Sequence, residues 1–139
     1  MRAAVMEALN EPLVVRDVPD PTLAPHGVVL RVEANGICRT DWHLWTGDWG
    51  WVGIQLPLPH VLGHEFCGVV EEVGANVTRW KQGDRVVVPF SQAGCGTVCE
   101  FCQSGHMNQC DAQIVPGVAY WGGYGRRVAV PHADANLVG

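Results

Sequence analysis

The stretch FCGVVEEVG (66–74), followed by DRVVVPF (84–90), decides the fold, because each run is short, rich in β-branched residues and bounded by Gly, Asp or Pro. Four more runs of the same kind flank it: RAAVMEA (2–8), PLVVRDV (12–18) and VVLRVEANG (28–36) upstream, and RRVAVP (126–131) downstream. The chain carries 17 Gly and 9 Pro, dense enough to break most helices. One short helix fits, from Arg39 to about Leu44, before Gly47. The expectation is a mainly β chain, a barrel or sandwich with short helices and many turns. It forms one domain over residues 1–139, with no internal repeat.

Composition narrows the function classes. Hydrophobic residues make up 47% of the chain and charged residues 17%, which excludes a disordered chain. Nine basic residues against fourteen acidic ones give a net charge of −5, and Lys81 is the single lysine. A nucleic-acid binder needs a basic excess or stripe, and neither is present. No apolar run approaches the roughly 18 residues of a membrane span, and MRAAVMEALNEPL (1–13) lacks the apolar core of a signal peptide. A cytoplasmic address is expected. No strand–GxGxxG–helix unit occurs; WGGYG (121–125) precedes a strand, so it cannot offer a helix N-terminus to a pyrophosphate.

Six cysteines in a chain with that expected address need a use other than disulfides. The spacing Cys95-x3-Cys99-x2-Cys102-x7-Cys110 gathers four of them in a glycine-containing loop. Zinc takes four thiolates tetrahedrally, and such a closed site is structural because it leaves no corner for water or substrate. Two disulfides or four free buried thiols are the alternatives. Cys38, in GICRTDWH, and His64, in LGHEF, would each be unremarked alone, as a core thiol and a locally bonded imidazole. Their neighbours Thr40, Asp41, His43 and Glu65 supply the other groups a catalytic zinc uses: a carboxylate behind the ligand and a proton path to solvent.

Gly63-His64-Glu65-x2-Gly68-x5-Gly74-x2-Val77 with GDRV (83–86), the Cys-Arg-Thr-Asp segment and the four-cysteine loop together resemble the zinc-containing alcohol dehydrogenases of the medium-chain dehydrogenase family. That resemblance implies a GroES-like β-barrel catalytic domain with a structural zinc lobe at about 91–112. It implies that Cys38 and His64 ligate a catalytic zinc, with Glu65 beside the metal and Asp41 orienting His64 from behind. Thr40 would hydrogen-bond the substrate alcohol, His43 would pass its proton to solvent, and Arg39 would reach the cofactor pyrophosphate. The implied activity is interconversion of an alcohol with an aldehyde or ketone, with hydride passing to or from NAD or NADP. Polyol, sugar or formaldehyde oxidation in the same family is an alternative, as is a zinc-stapled GroES-like module that binds without catalysing.

The chain departs from the resemblance in two places. Three residues, Gly96, Thr97 and Val98, separate the first two lobe cysteines where most members have two. The family's third catalytic ligand and its nucleotide-binding domain are expected beyond Gly139, so the isolated chain is expected to be inactive, with its catalytic zinc absent or partial. Apolar surface left open would favour a homo-oligomer. Trp42, Trp45, Trp49 and Trp51 form either a hydrophobic lid or, with Trp45 and Trp49 foremost, part of an apolar substrate pocket. Trp80 reads as packing, Cys67 as a core residue, and His26, His60, His106 and His132 as surface or loop residues.

Overall fold

A computed structural model describes residues 1–139, and a strand lies within each of the six runs picked out above. In chain order the strands are β1 (Arg2–Val5), β2 (Val14–Asp17), β3 (Val28–Asn35), β4 (Phe66–Val73), β5 (Arg85–Val88), β6 (Gln92–Ala93), β7 (Gln113–Ile114) and β8 (Arg127–Val130). They form three antiparallel sheets: β1 with β2, β6 with β7, and a four-stranded sheet in the order β5-β4-β3-β8. No helix is long and apolar enough to cross a membrane.

Alternation along the sheet builds the main core. Val28 and Leu30 of β3, Phe66 and Val70 of β4, Val86 and Val88 of β5, and Val128 and Val130 of β8 point to one side and are buried together. Each such side chain contributes about 1.5–3 kcal/mol when fully buried. Gly68 sits where a β-carbon would collide with the Arg31 carbonyl, so the long β3–β4 pair can close only on a glycine. Its register shifts at Val29/Leu30 and at Val32/Ala34, which are bulges that bend the pair.

The mainly β expectation holds, with one difference in detail: the strands do not close into one continuous barrel ladder. β5 and β8 are the edges of the four-stranded sheet, and the β1–β2 pair joins the rest through isolated bridges, Ala3 to Gly125 and Met6 to His60. Most strands are four residues or fewer, and Pro-rich connections such as 19–25 interrupt the pairing before closure. The Met6 bridge also corrects the reading of His60. It lies outside any named strand, as expected, but is 2% exposed, with Nε2 2.9 Å from the Gly117 carbonyl oxygen. Cys67 is half-buried rather than core, because it falls on the other side of β4 from Phe66.

The helices are short: α1 (Arg39–Thr46), α2 (Glu100–Gln103) and α3 (Ala133–Asn136). α1 begins at Cys38, whose sulfur accepts from the Thr40 N–H, while the Asp41 carboxylate accepts from the Cys38 N–H. Gly47, at φ 77°, ends it in the left-handed conformation. α3 is a clamp. Its Asp134 accepts hydrogen bonds from the Thr78 N–H and hydroxyl and from the Arg79 N–H, at 2.7–2.9 Å. Asn136 exchanges bonds with both backbone groups of Ala93.

Burial alone would raise the Asp134 pKa, but the Arg79 and Thr78 donors outweigh it and hold the group below the usual carboxylate value. A depressed carboxylate stabilises the fold above its unfolded pKa and loses that contribution as pH falls through the folded one. Asp134→Ala is therefore expected to lower stability by roughly 1–2 kcal/mol at pH 7. The gap between variant and wild type should shrink as pH falls below the ordinary aspartate value of about 3.9, as read from thermal melts across pH.

Candidate metal centres

The loop that follows β6 folds back through α2 and a 3-10 turn at Met107–Gln109, and this return brings four thiols together. The sulfurs of Cys95, Cys99, Cys102 and Cys110 all lie within 4.8 Å of one another. Cys95 and Cys102 are 3.6 Å apart and Cys99 and Cys110 4.0 Å, so none is disulfide-bonded. Tetrahedral corners at 2.3 Å from a zinc are about 3.8 Å apart, and the observed separations bracket that value. The extra residue before Cys99 is absorbed by Gly96 (φ 70°) and Thr97 (φ 68°), both left-handed, which turn the chain enough to return Cys95 to the cluster.

Electrostatics in the cluster suit a cation. The Cys99 N–H lowers the Cys95 pKa, and the Asp111 N–H lowers that of Cys99. Burial pushes Cys110 up, yet the backbone donors at Cys95 and Ala112 bring it below the ordinary thiol value. Cys102 goes the other way, raised first by burial and then by its three neighbours. Three thiols inclined to ionise around a fourth kept neutral by burial and by its neighbours is a donor set a soft dication would satisfy.

The second centre forms where the N-terminus of α1 meets the 60–65 segment. Donor atoms of Cys38, His64 and Glu65 lie within 4.8 Å of one another. His64 is 2% exposed, and its Nδ1 stands 3.3 Å from Asp41 Oδ1. Both ring nitrogens are buried without a hydrogen-bond partner in the protein, Nδ1 having only the ion-pair contact with Asp41. Asp41, 4% exposed, also accepts from the Gly63 N–H and the Cys38 N–H, both at 3.1 Å. Asp41 raises the His64 pKa to about 9 against the opposing effect of burial. Burial would raise the Asp41 pKa in turn, but His64 and the two N–H donors bring it below the usual value. The Cys38 thiol is lowered by the Thr40 N–H first, then by His64. A buried imidazole with one nitrogen facing a carboxylate and the other open, beside a depressed thiol, fits a metal of the zinc type.

The remaining sequence candidates fall around this centre at varying distance. Glu65 is exposed, and its side chain folds over Gly36, which has no β-carbon to obstruct it. His43, one turn after Thr40 on α1, has Nδ1 3.2 Å from Asp48 and stacks on Trp49 with ring centres 5.1 Å apart. Arg39 is exposed, its guanidinium 4.5 Å from the Trp42 ring centre. A cavity of about 320 Å³ opens beside Cys38 and is lined by Trp42, Trp45, Leu13, Ile37 and Tyr124. Trp45 is on it; Trp49 is not, and stacks on His43 instead, although both pack against the Met6–Leu44–Leu62 cluster. Phe90, which nothing in the sequence singled out, meets the His64 ring edge-on at 5.1 Å.

Known proteins share this geometry and sequence. The profile of the alcohol dehydrogenase GroES-like domain matches residues 24–138. An alcohol dehydrogenase of Geobacillus stearothermophilus is 42% identical over 124 residues, 89% of this chain and 36% of that protein. An L-threonine 3-dehydrogenase of Rhizobium etli is 37% identical over 99% of this chain and 39% of its own length. Among solved structures, the cobalt- and zinc-bound thermostable alcohol dehydrogenase of Pyrobaculum aerophilum superposes with TM-score 0.83 and 33% identity, covering 99% of this chain and 40% of that one. This chain belongs to the GroES-like domain family of the zinc-dependent alcohol dehydrogenases, and it spans well under half the length of these relatives.

The thiol pattern makes its own prediction. After chelation, alkylation at pH 8 followed by peptide mapping should show Cys95 and Cys99 reacting early and Cys102 last. Added zinc should shield all four. Thiols that resist alkylation until a reductant is added would identify disulfides instead.

Proposed function

We propose that these 139 residues are the metal-binding catalytic domain of an NAD- or NADP-dependent alcohol dehydrogenase that interconverts an alcohol with an aldehyde or ketone. One observation carries the reading: Cys38, His64 and Glu65 converge beside a cavity whose walls are mainly apolar. Zinc held there would supply Lewis acidity toward the oxygen of an alcohol. Cys38 and His64 are the proposed ligands, with Glu65 alongside, and Asp41 fixes the His64 ring from behind. Thr40 accepts the hydrogen bond of the substrate hydroxyl, and His43, paired with Asp48, passes the proton to solvent. Trp42 and Trp45 exclude water and favour an apolar substituent; Trp49, beside His43, borders the proton exit. Arg39 remains the proposed contact for the cofactor pyrophosphate.

The four-cysteine lobe is proposed to hold a structural zinc, closed to substrate. Six unpaired thiols support a cytoplasmic address. No parallel sheet or GxGxxG loop is available to hold a dinucleotide, so the cofactor has to be presented by a polypeptide other than these residues, and the chain by itself is proposed to be inactive. Exposed Ile37, Trp42, Val87 and Phe90 give such a neighbour, or a second copy, apolar surface to cover. A module that only binds would not account for a buried Asp41–His64 pair, since an unneeded buried charge is a cost to stability.

Metal analysis tests the lobe: one zinc per chain should survive a mild chelator, and Cys102→Ser should release it and lower Tm. A chimera tests the catalysis, with this chain replacing the matched segment of the Geobacillus enzyme. The chimera should oxidise alcohols with NAD or NADP, and His64→Ala or Cys38→Ser should reduce kcat/KM roughly a thousandfold. Undiminished activity in both variants would remove the proposed site.

A further inference from the structure

The glycine cluster WGGYG (121–125), which has no role as a phosphate loop, lies across the segment that delivers His64. Gly122 N–H donates to the Val61 carbonyl at 2.9 Å, Gly123 N–H to that of Gly63 at 3.0 Å, and Tyr124 N–H to that of Leu62 at 3.0 Å. The crossing is so close that a β-carbon on Gly122 would run into the Gly63 carbonyl, and one on Gly123 into Phe66 and Asn35. Gly63 itself has φ 100°, and a β-carbon there would come 2.8 Å from the Tyr124 ring. Three glycines thus meet at one crossing, and what the crossing delivers is the Tyr124 hydroxyl, which donates to Asp41 Oδ2 at 3.1 Å.

That bond completes the Asp41 carboxylate. Oδ1 takes the Gly63 N–H and faces His64, while Oδ2 takes the Cys38 N–H and the Tyr124 hydroxyl. The terminal torsion of an aspartate is broad and soft, so its plane is set by what its oxygens bind. Of these partners, only Tyr124 comes from outside the two segments that also carry the proposed ligands. We propose that Tyr124 is a positioning residue: by fixing the Asp41 carboxylate it orients His64 so that Nδ1 is held and Nε2 is presented to the metal. This inference rests on the proposed reading of Cys38, His64 and Glu65 as a metal site.

The test keeps zinc in the four-cysteine lobe and titrates the chain with cobalt(II), following its visible absorption. The His64→Ala chain defines which part of the signal belongs to this site. Tyr124→Phe keeps the ring and its packing and removes only the hydroxyl. It should bind cobalt about tenfold more weakly, the lower end of the effect of losing a group that supports a metal ligand, with a shifted absorption band. The lost hydrogen bond to a buried carboxylate should lower the Tm before cobalt is added, while the far-ultraviolet circular dichroism stays that of the wild type. Equal affinity and an identical band would overturn the proposal and leave the metal-site reading intact. Absence of any His64-dependent cobalt signal in the wild type would overturn both. Ring-nitrogen NMR of the wild-type chain with zinc at this site gives a check that does not depend on the variant folding. His64 should carry its hydrogen on Nδ1, and a hydrogen found on Nε2 alone would overturn the proposal.

Discussion

A carboxylate taken out of water has to find partners for both oxygens, and in this chain Asp41 finds them on three separate segments. The Cys38 N–H ties it to the start of α1, the Gly63 N–H to the turn before β4, and the Tyr124 hydroxyl to the approach to β8. His64 stands against it at 3.3 Å. Removing one member of a buried charged pair typically costs 3–5 kcal/mol, so the segments that meet at Asp41 cannot drift apart cheaply. The place where a metal would be held is also the place where three segments distant in sequence are joined.

The four-cysteine lobe follows a different logic. It is local in sequence, it projects from the two-residue β6–β7 ladder, and its small core consists of Ala93 with Cys102 and Cys110. With so little apolar area to bury, its shape depends on what joins the sulfurs. Two polar latches tie it to the sheet. Asn136 of α3 holds the backbone of Ala93, and the Tyr120 hydroxyl reaches the fully buried Gln92 at 2.8 Å. The lobe can therefore tolerate an extra residue between Cys95 and Cys99 without disturbing the sheet, because the change is contained within its own turn.

Strands and α1 were legible in the sequence because their signals are local: β-branched runs, Gly and Pro breaks, and a helix that stops at Gly47. Motif and spacing had singled out the residues that the structure gathers into two donor clusters. Closure of the strands was not, since nothing within a four-residue run says which edges will meet. His60 looked like a loop residue and is one, yet a single backbone bridge to Met6 buries it. Trp45 and Trp49 were equivalent in sequence, and the 3-10 turn after Gly47 sent one to the cavity and the other to His43. Phe90 and Tyr124 carried no signal of their own; the paired glycines before Tyr124 were visible, but their use requires knowing that Val61–Gly63 passes beneath them.

By itself the sequence determined the β class, the place and cap of α1, and which side chains could ligate a metal, because these depend on neighbours a few residues apart. Tertiary structure decided which of them meet. Cys38 and His64 are brought together only when β3 and β4 pair. Asp41 becomes a buried partner only when the Gly122–Gly123 crossing brings Tyr124 over the Gly63 turn. Those contacts span from 22 to 83 residues of chain, and no local preference encodes a distance of that kind.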